Sequence, residues 1–269
     1  MLPGPFFLAT LYNVGLRLLN KVAIVTGAGA GIGQATAIRF VEEGAKVVLV
    51  DLFEPLLAET AKLIAEAGGE CVSVASDISK DADCRWISEL AAEKFGGIDI
   101  VVNNAANFTG RSVEAATMED WLKVLTVNVV GTANVSKYAI PHLKKRGNGS
   151  IVNVSSKSGL MAQLNFATYS TSKGAILALT KCMAIDLAPF NICVNSVLPG
   201  CVLTTASERE WTMLGITREQ WIADNAALHM LKRVGDAREL AHAILFMASD
   251  EASFITGAEL LVDGGFCAM

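Results

Sequence analysis

A doubly wound α/β domain, with about seven parallel strands and helices on both faces, is implied by the pattern of this chain. From Lys21 onward, short runs of β-branched residues alternate with longer helical stretches, as in parallel strands joined by crossover helices. The strand candidates are too uniformly apolar to have one wet face, so helices must cover both sides. The first strand runs straight into a glycine-rich turn and then a helix. With no internal repeat, low-complexity tract or Pro/Ser-rich linker, a single domain over residues 21–269 is expected, after an extension at 1–20.

In chain order, the strand candidates are KVAIVTG (21–27), KVVLVD (46–51), CVSVASD (71–77), DIVVNNA (99–105), SIVNVSS (150–156), ICVNSVLPG (192–200) and ELLVDGG (259–265). Helical stretches fall between them near 32–43, 54–67, 79–95, 118–137, 167–188 and 236–249. Every linker is short except the segment 203–234, which carries Trp211, Met213, Leu214, Trp221 and Met230 where one helix would suffice. An insertion rich in large apolar side chains near strand ends is a candidate substrate lid. Two extra surface helices are the plainer alternative.

Composition limits the functions open to the chain. Hydrophobic residues make up 52% and charged residues 18%, which calls for extensive burial and fits an oligomer. The net charge is −5 with no long basic run, which argues against nucleic acid as a partner. The six cysteines (71, 84, 182, 193, 201 and 267) form no C-x-x-C pair and lack zinc-site spacing, so reduced thiols in a cytoplasmic protein are expected and no metal. Within residues 1–20, Pro3, Pro5, Asn13 and Arg17 break the apolar runs, and none reaches the ~18 residues that span a bilayer. A surface extension or an upstream start is expected there, and no membrane association.

Two constellations carry chemistry. The first strand opens into Gly27-Ala28-Gly29-Ala30-Gly31-Ile32-Gly33, and the next strand ends at Asp51, eighteen residues past Gly33. Glycines allow close backbone approach, the helix start offers amides and a positive dipole end to a pyrophosphate, and the acidic residue suits an unphosphorylated adenosine ribose. The Asp51 carboxylate would repel a 2′-phosphate, and no Arg or Lys stands at 27–33, Leu52 or Phe53 to receive one. NAD is therefore expected over NADP. At the other end, Tyr169 and Lys173 stand four residues apart, about one helical turn, so phenol and ammonium share a helix face. A neighbouring cation is expected to lower the phenol's pKa and fit Tyr169 for proton transfer. Ser156 precedes the tyrosine by thirteen residues.

The chain resembles the short-chain dehydrogenase/reductase family over nearly all of residues 20–266. The matching motifs are TGAGAGIG at 26–33, Asp77 after the third strand, NNAA at 103–106, Asn128 in TVNVVGT, Ser156 in IVNVSSKSG, YSTSK at 169–173, PGCVLT at 199–204, and ASDEASFITG followed by VDGG. The resemblance implies a Rossmann-type fold and a hydride transfer between a nicotinamide cofactor and a secondary alcohol or ketone. In that reaction Tyr169 would exchange a proton with the substrate oxygen, and Ser156 would hydrogen-bond the same oxygen. Lys173 would lower the tyrosine's pKa and hold the nicotinamide ribose, and Asn128 would hold a water linking Lys173 to solvent. Gly27, Gly31, Ile32, Gly33 and Asp51 would bind the cofactor, with Asp77 and Ile78 at the adenine and Asn104 and Ala105 lining the cleft. Pro199, Gly200, Val202 and Thr204 would sit against the nicotinamide and its phosphates. A homotetramer is also implied. Two departures are Ala106, where the family usually has glycine, and Cys193, where a basic residue is common.

A hydrolase is disfavoured because no G-x-S-x-G elbow accompanies the serines and histidines. An NADPH-dependent 3-oxoacyl-(acyl-carrier-protein) reductase-like enzyme and a catalytically silent dinucleotide-binding protein remain alternatives. For the substrate, Phe108, Met161, Gln163, Phe166 and Trp211 suggest an apolar pocket suited to an aliphatic, cyclic or steroid-like alcohol. Gln163, Asn165 and Arg111 could equally meet a sugar or an acyl carrier.

Overall fold

The structure, a computed structural model, describes residues 16–268. Seven strands build one parallel sheet: β1 (Val22–Thr26), β2 (Lys46–Asp51), β3 (Glu70–Ala75), β4 (Ile100–Asn103), β5 (Gly149–Val154), β6 (Ile192–Pro199) and, last in the chain, β9 (Glu259–Val262). Their order across the sheet is β3-β2-β1-β4-β5-β6-β9. Every neighbouring pair is parallel, so the expected seven-stranded doubly wound sheet is what the chain forms. Strand order reverses between β1 and β4, and the crevice beyond the carboxyl ends at such a point is where open α/β sheets bind ligands.

The apolar strands feed two cores, one on each face. Val25, Leu49, Val102 and Val152 point to the side covered by α1 (Gly31–Glu42), α2 (Glu54–Glu66) and α9 (Ala237–Ala248). Ile24, Val48, Val101 and Ile151 point to the other, under α3 (Asp81–Phe95), α5 (Thr132–Arg146) and α6 (Ala167–Leu187). Adjacent residues of one strand thus serve opposite cores, which is why the central strands β1, β4, β5 and β6 are buried on both faces, while the edge strand β3 leaves Glu70 and Ser73 exposed.

Three expectations shift. The helix expected at 118–137 runs instead as α4 (Met118–Leu125), a π-type turn (Thr126–Gly131) and α5, ending at Arg146. Pro141 does not stop it, because Pro141 and Lys137, whose carbonyl loses its donor, are both exposed to water. The 203–234 insertion forms two helices, α7 (Thr205–Leu214) and α8 (Arg218–Ala227), bracketed by two short paired strands, β7 (Val202–Leu203) and β8 (Gly235–Asp236). Residues 16–20, grouped above with the extension, belong to the folded body: Leu18 is fully buried, and Arg17 pairs with Glu251 at 2.6 Å. The rest of the 1–20 extension lies outside the described residues. Among those described, no helix is long and apolar enough to cross a membrane, and all six cysteines are free.

Candidate active site

The glycine turn is built by what its residues lack. Gly27 and Gly31 adopt φ of +66° and +56°, a region that favours glycine. A Cβ on Gly33 would overlap the Gly27 carbonyl oxygen, so only glycine lets α1 start this close to β1. No side chain caps α1, which leaves its first-turn amides open to an anion. Ile32 lies in that first turn and is partly buried. At the end of β2, Asp51 accepts the Gly29 N–H at 3.0 Å and the Phe53 N–H at 3.2 Å. The carboxylate therefore braces the glycine turn.

At the end of β4 the chain turns onto β1. The Asn104 and Ala105 N–H groups donate to Thr26 Oγ1 at 3.0 and 3.1 Å, and the Asn104 amide donates to the Thr26 and Gly27 carbonyls. This locks both residues at the cleft floor. Asp77, past β3, accepts from the Ser79 N–H and hydroxyl at 3.0 and 2.6 Å, so one of its oxygens serves the turn before α3. Ile78 is buried under Gly131, where a Cβ would crowd it.

The reacting groups converge between β5 and α6. Tyr169 is 7% exposed and Lys173 3%, one turn apart on α6 as the spacing predicts. The Lys173 ammonium lies 5.6 Å from the tyrosine ring centroid and donates to the Val154 carbonyl at 2.8 Å. Burial pushes the Lys173 pKa down to about 8. Burial also drives the Tyr169 phenol above its usual range, against a smaller lowering effect of the neighbouring Ser156 hydroxyl. The expected depression of the tyrosine's pKa is thus reversed, because loss of water outweighs the lowering effect of the Ser156 hydroxyl. Ser156 leaves β5 to cap the turn Lys157–Gly159: its hydroxyl accepts the Ser158 N–H and donates to Ser158 Oγ, both at 3.1 Å. Ser158 Oγ in turn donates to Gln163 at 2.5 Å.

Asn128 sits in the π-type turn, nearly fully buried, with both amide hydrogens spent, on the Asn107 carbonyl at 3.0 Å and on Ser172 Oγ at 2.9 Å. Its Oδ1 accepts the Asn107 N–H at 2.6 Å. The side chain thereby ties the segment after β4 to α6. Ser172, which also donates to the Tyr169 carbonyl at 2.7 Å, completes that tie and was invisible as more than a motif letter.

Two aromatic residues expected at the substrate flank the phenol. Phe108 stacks on Tyr169 at 5.4 Å, and Phe166 meets it edge-on at 5.9 Å. Met161 is exposed in the loop after Ser156. Trp211 packs against Trp221 at 5.9 Å between α7 and α8, where Trp221 donates to Glu210. In the loop after β6, a Cβ on Gly200 would collide with Asp263 and His229, Val202 pairs with Gly235, and Thr204 caps α7 with its side chain where a Cβ on Gly31 would crowd it. The Pro199–Thr204 loop thereby bridges the nucleotide turn and the strand ends. Open amides at α1, glycines that admit a backbone-close ligand and a carboxylate at β2 fit a dinucleotide.

A profile of the family described as Enoyl-(Acyl carrier protein) reductase matches residues 27–267. An uncharacterized oxidoreductase of Thermotoga maritima is 41% identical over 256 residues, 94% of this chain and 100% of the relative. The 2-(S)-hydroxypropyl-CoM dehydrogenase 3 of Xanthobacter autotrophicus is 37% identical over 254 residues, 94% of this chain and 99% of that protein. The crystal structure of levodione reductase superposes with a TM-score of 0.90 at 28% identity, covering 94% of this chain and 99% of that one.

Proposed function

Since the chain belongs to the short-chain dehydrogenase/reductase family, whose members use a nicotinamide dinucleotide, we propose that it moves a hydride between NAD(H) and a secondary alcohol or ketone. The observation that carries this reading is the buried Tyr169 phenol next to the Ser156 hydroxyl, with Lys173 one turn away on α6. The nicotinamide supplies the hydride chemistry when bound. Burial keeps the phenol protonated near neutral pH, so Tyr169 donates a proton to the oxygen of a ketone as charge develops there, and Ser156 stabilises the same oxygen. In the oxidative direction Tyr169 must accept that proton. The Lys173 ammonium, with its pKa near 8, then stabilises the phenolate most effectively below that pH.

For the cofactor, Gly27, Gly31, Ile32 and Gly33 would hold the pyrophosphate and Asp51 the adenosine ribose. Asp77 and Ile78 would border the adenine, and Pro199, Gly200, Val202 and Thr204 the nicotinamide side. The carboxylate of Asp51 at the end of β2 supports NAD, since a 2′-phosphate there would meet a negative charge. The 203–234 segment would act as a lid, its Thr204 hinge resting on Gly31. The free thiols fit a reducing, cytoplasmic setting. A second reading, an NADPH-dependent acyl-carrier reductase, draws on the description of the matching family. Initial rates over a panel of alcohols, ketones and 3-oxoacyl thioesters with NAD(H) and NADP(H) separate the two. Alcohol or ketone turnover with NAD(H) preferred is expected; thioester reduction with NADPH alone would overturn the first reading.

A further inference from the structure

Lys157 directly follows Ser156 and has no part in the reaction described above. It is 5% exposed, a rare place for a lysine, because a buried ammonium is costly without an anion. Among the described residues no carboxylate pairs with it and no oxygen accepts from it. Its Nζ lies 3.4 Å from the centroid of the Phe266 ring and faces the Cys201 thiol, where it opposes the rise in thiol pKa that burial causes. A ring face and a weakly accepting thiol leave most of a three-donor group unused.

The three residues come from the ends of three consecutive strands, Lys157 past β5, Cys201 past β6 and Phe266 past β9. Their surroundings are fixed. The Cys201 N–H donates to His229 Nε2 at 3.2 Å, which makes Nδ1 the donor to the Asn225 carbonyl at 2.7 Å, and the His229 ring packs edge-on to Phe266 at 5.3 Å. Asp263, the acid in this cluster, accepts the Gly265 and Cys267 N–H groups at 2.9 and 2.8 Å and does not pair with the lysine. Among the described residues the cation therefore has no carboxylate partner, and it lies against Phe266 and the Cys201 thiol of the loop proposed to border the nicotinamide.

We propose that Lys157 is a specificity-determining residue that pairs with a carboxylate carried by the substrate, which narrows the substrate class to hydroxy acids and keto acids. This rests on the alcohol/ketone reading above. Phe108 and Phe166 would then enclose the carbon skeleton between the reacting oxygen at Tyr169 and the carboxylate at Lys157.

Two measurements on the full chain test it. Rates with NAD are compared for short 2- and 3-hydroxycarboxylates and their methyl esters, in the wild type, Lys157→Met and Lys157→Arg. The wild type is expected to favour the acids, and Lys157→Met to raise KM for them on the order of tenfold to a hundredfold while the esters lose far less. Lys157→Arg should retain part of the preference. Equal losses for acids and esters, or a wild type that prefers esters, would overturn the inference while leaving the dehydrogenase reading intact. Calorimetric binding of butyrate against neutral butyramide to the NADH-saturated wild type needs neither turnover nor a folded variant. Butyrate bound in preference to the amide supports the anion site even if no alcohol is oxidised, an outcome that would refute the dehydrogenase reading alone. No discrimination between the two overturns the inference.

Discussion

At the scale of single residues, the site is governed by desolvation. Lys173 has its pKa lowered from the ordinary 10.5 to about 8 by burial, so between those values the unfolded chain binds a proton that the folded chain does not. Stability then rises with pH across that window, and below pH 8 the fold bears the full cost of the buried charge. Tyr169 acts with the opposite sign: its folded pKa lies above 10, so the folded state keeps a proton the unfolded state loses, and stability falls as pH rises beyond 10. In denaturant melts, the wild type should gain about 1–2 kcal/mol between pH 7.5 and 9.5 relative to Lys173→Met. Parallel curves for the two proteins would show that this lysine is not the group titrating. The spacing of Tyr169, Lys173 and Ser156 was legible in the sequence because helical geometry and the motif both fix it. The sign of the tyrosine's shift was not, since burial depends on the packing of Phe166 at the start of α6 and above all of Phe108, which comes from the distant segment after β4. Lys157 went unnoticed for the same reason: nothing local marks a lysine as buried.

Elements repeat that division. The seven strands were legible because continuous apolar runs admit few alternatives, and their ends shifted where side chains took over. Ser156 leaves β5 to cap a turn, and Asn104 leaves β4 to bond Thr26. The π-type turn at Thr126–Gly131 was not legible, because it exists to bring Asn128 to Asn107 and Ser172, tertiary partners that no periodicity encodes. Glycine positions give a sharp contrast. Gly33→Ala forces a methyl onto the Gly27 carbonyl, and a melting temperature lower by roughly 5–10 °C is expected, with weakened NADH binding. Gly174→Ala, within α6, meets only the Gly159 carbonyl at an ordinary 3.5 Å and should raise it by roughly 2–4 °C through helix propensity. Thermal melts of the two variants decide this, and an unchanged Gly33→Ala would mean that α1 tolerates moving away from β1.

On the scale of the molecule, the apolar composition is only partly absorbed by the two cores. Phe254, Ile185, Leu122 and Val130 remain exposed on several sides, more than a monomer needs to show. Burial of these faces in a homotetramer is the proposal, and light scattering should return the mass of four chains; a monomer at micromolar concentration would refute it. Within the proposed lid at 203–234, Trp211 joins α7 to α8 through its ring contact with Trp221. All of this would serve the proposed reaction, in which the Tyr169 phenol gives or takes the substrate's proton. The most direct test is Tyr169→Phe, which keeps the ring and its stacking on Phe108 and removes only the hydroxyl. NADH binding measured by fluorescence should survive, and turnover of any substrate accepted by the wild type should fall by about a thousandfold or more. Turnover within about tenfold of the wild type would contradict the role assigned to this residue and the mechanism built on it.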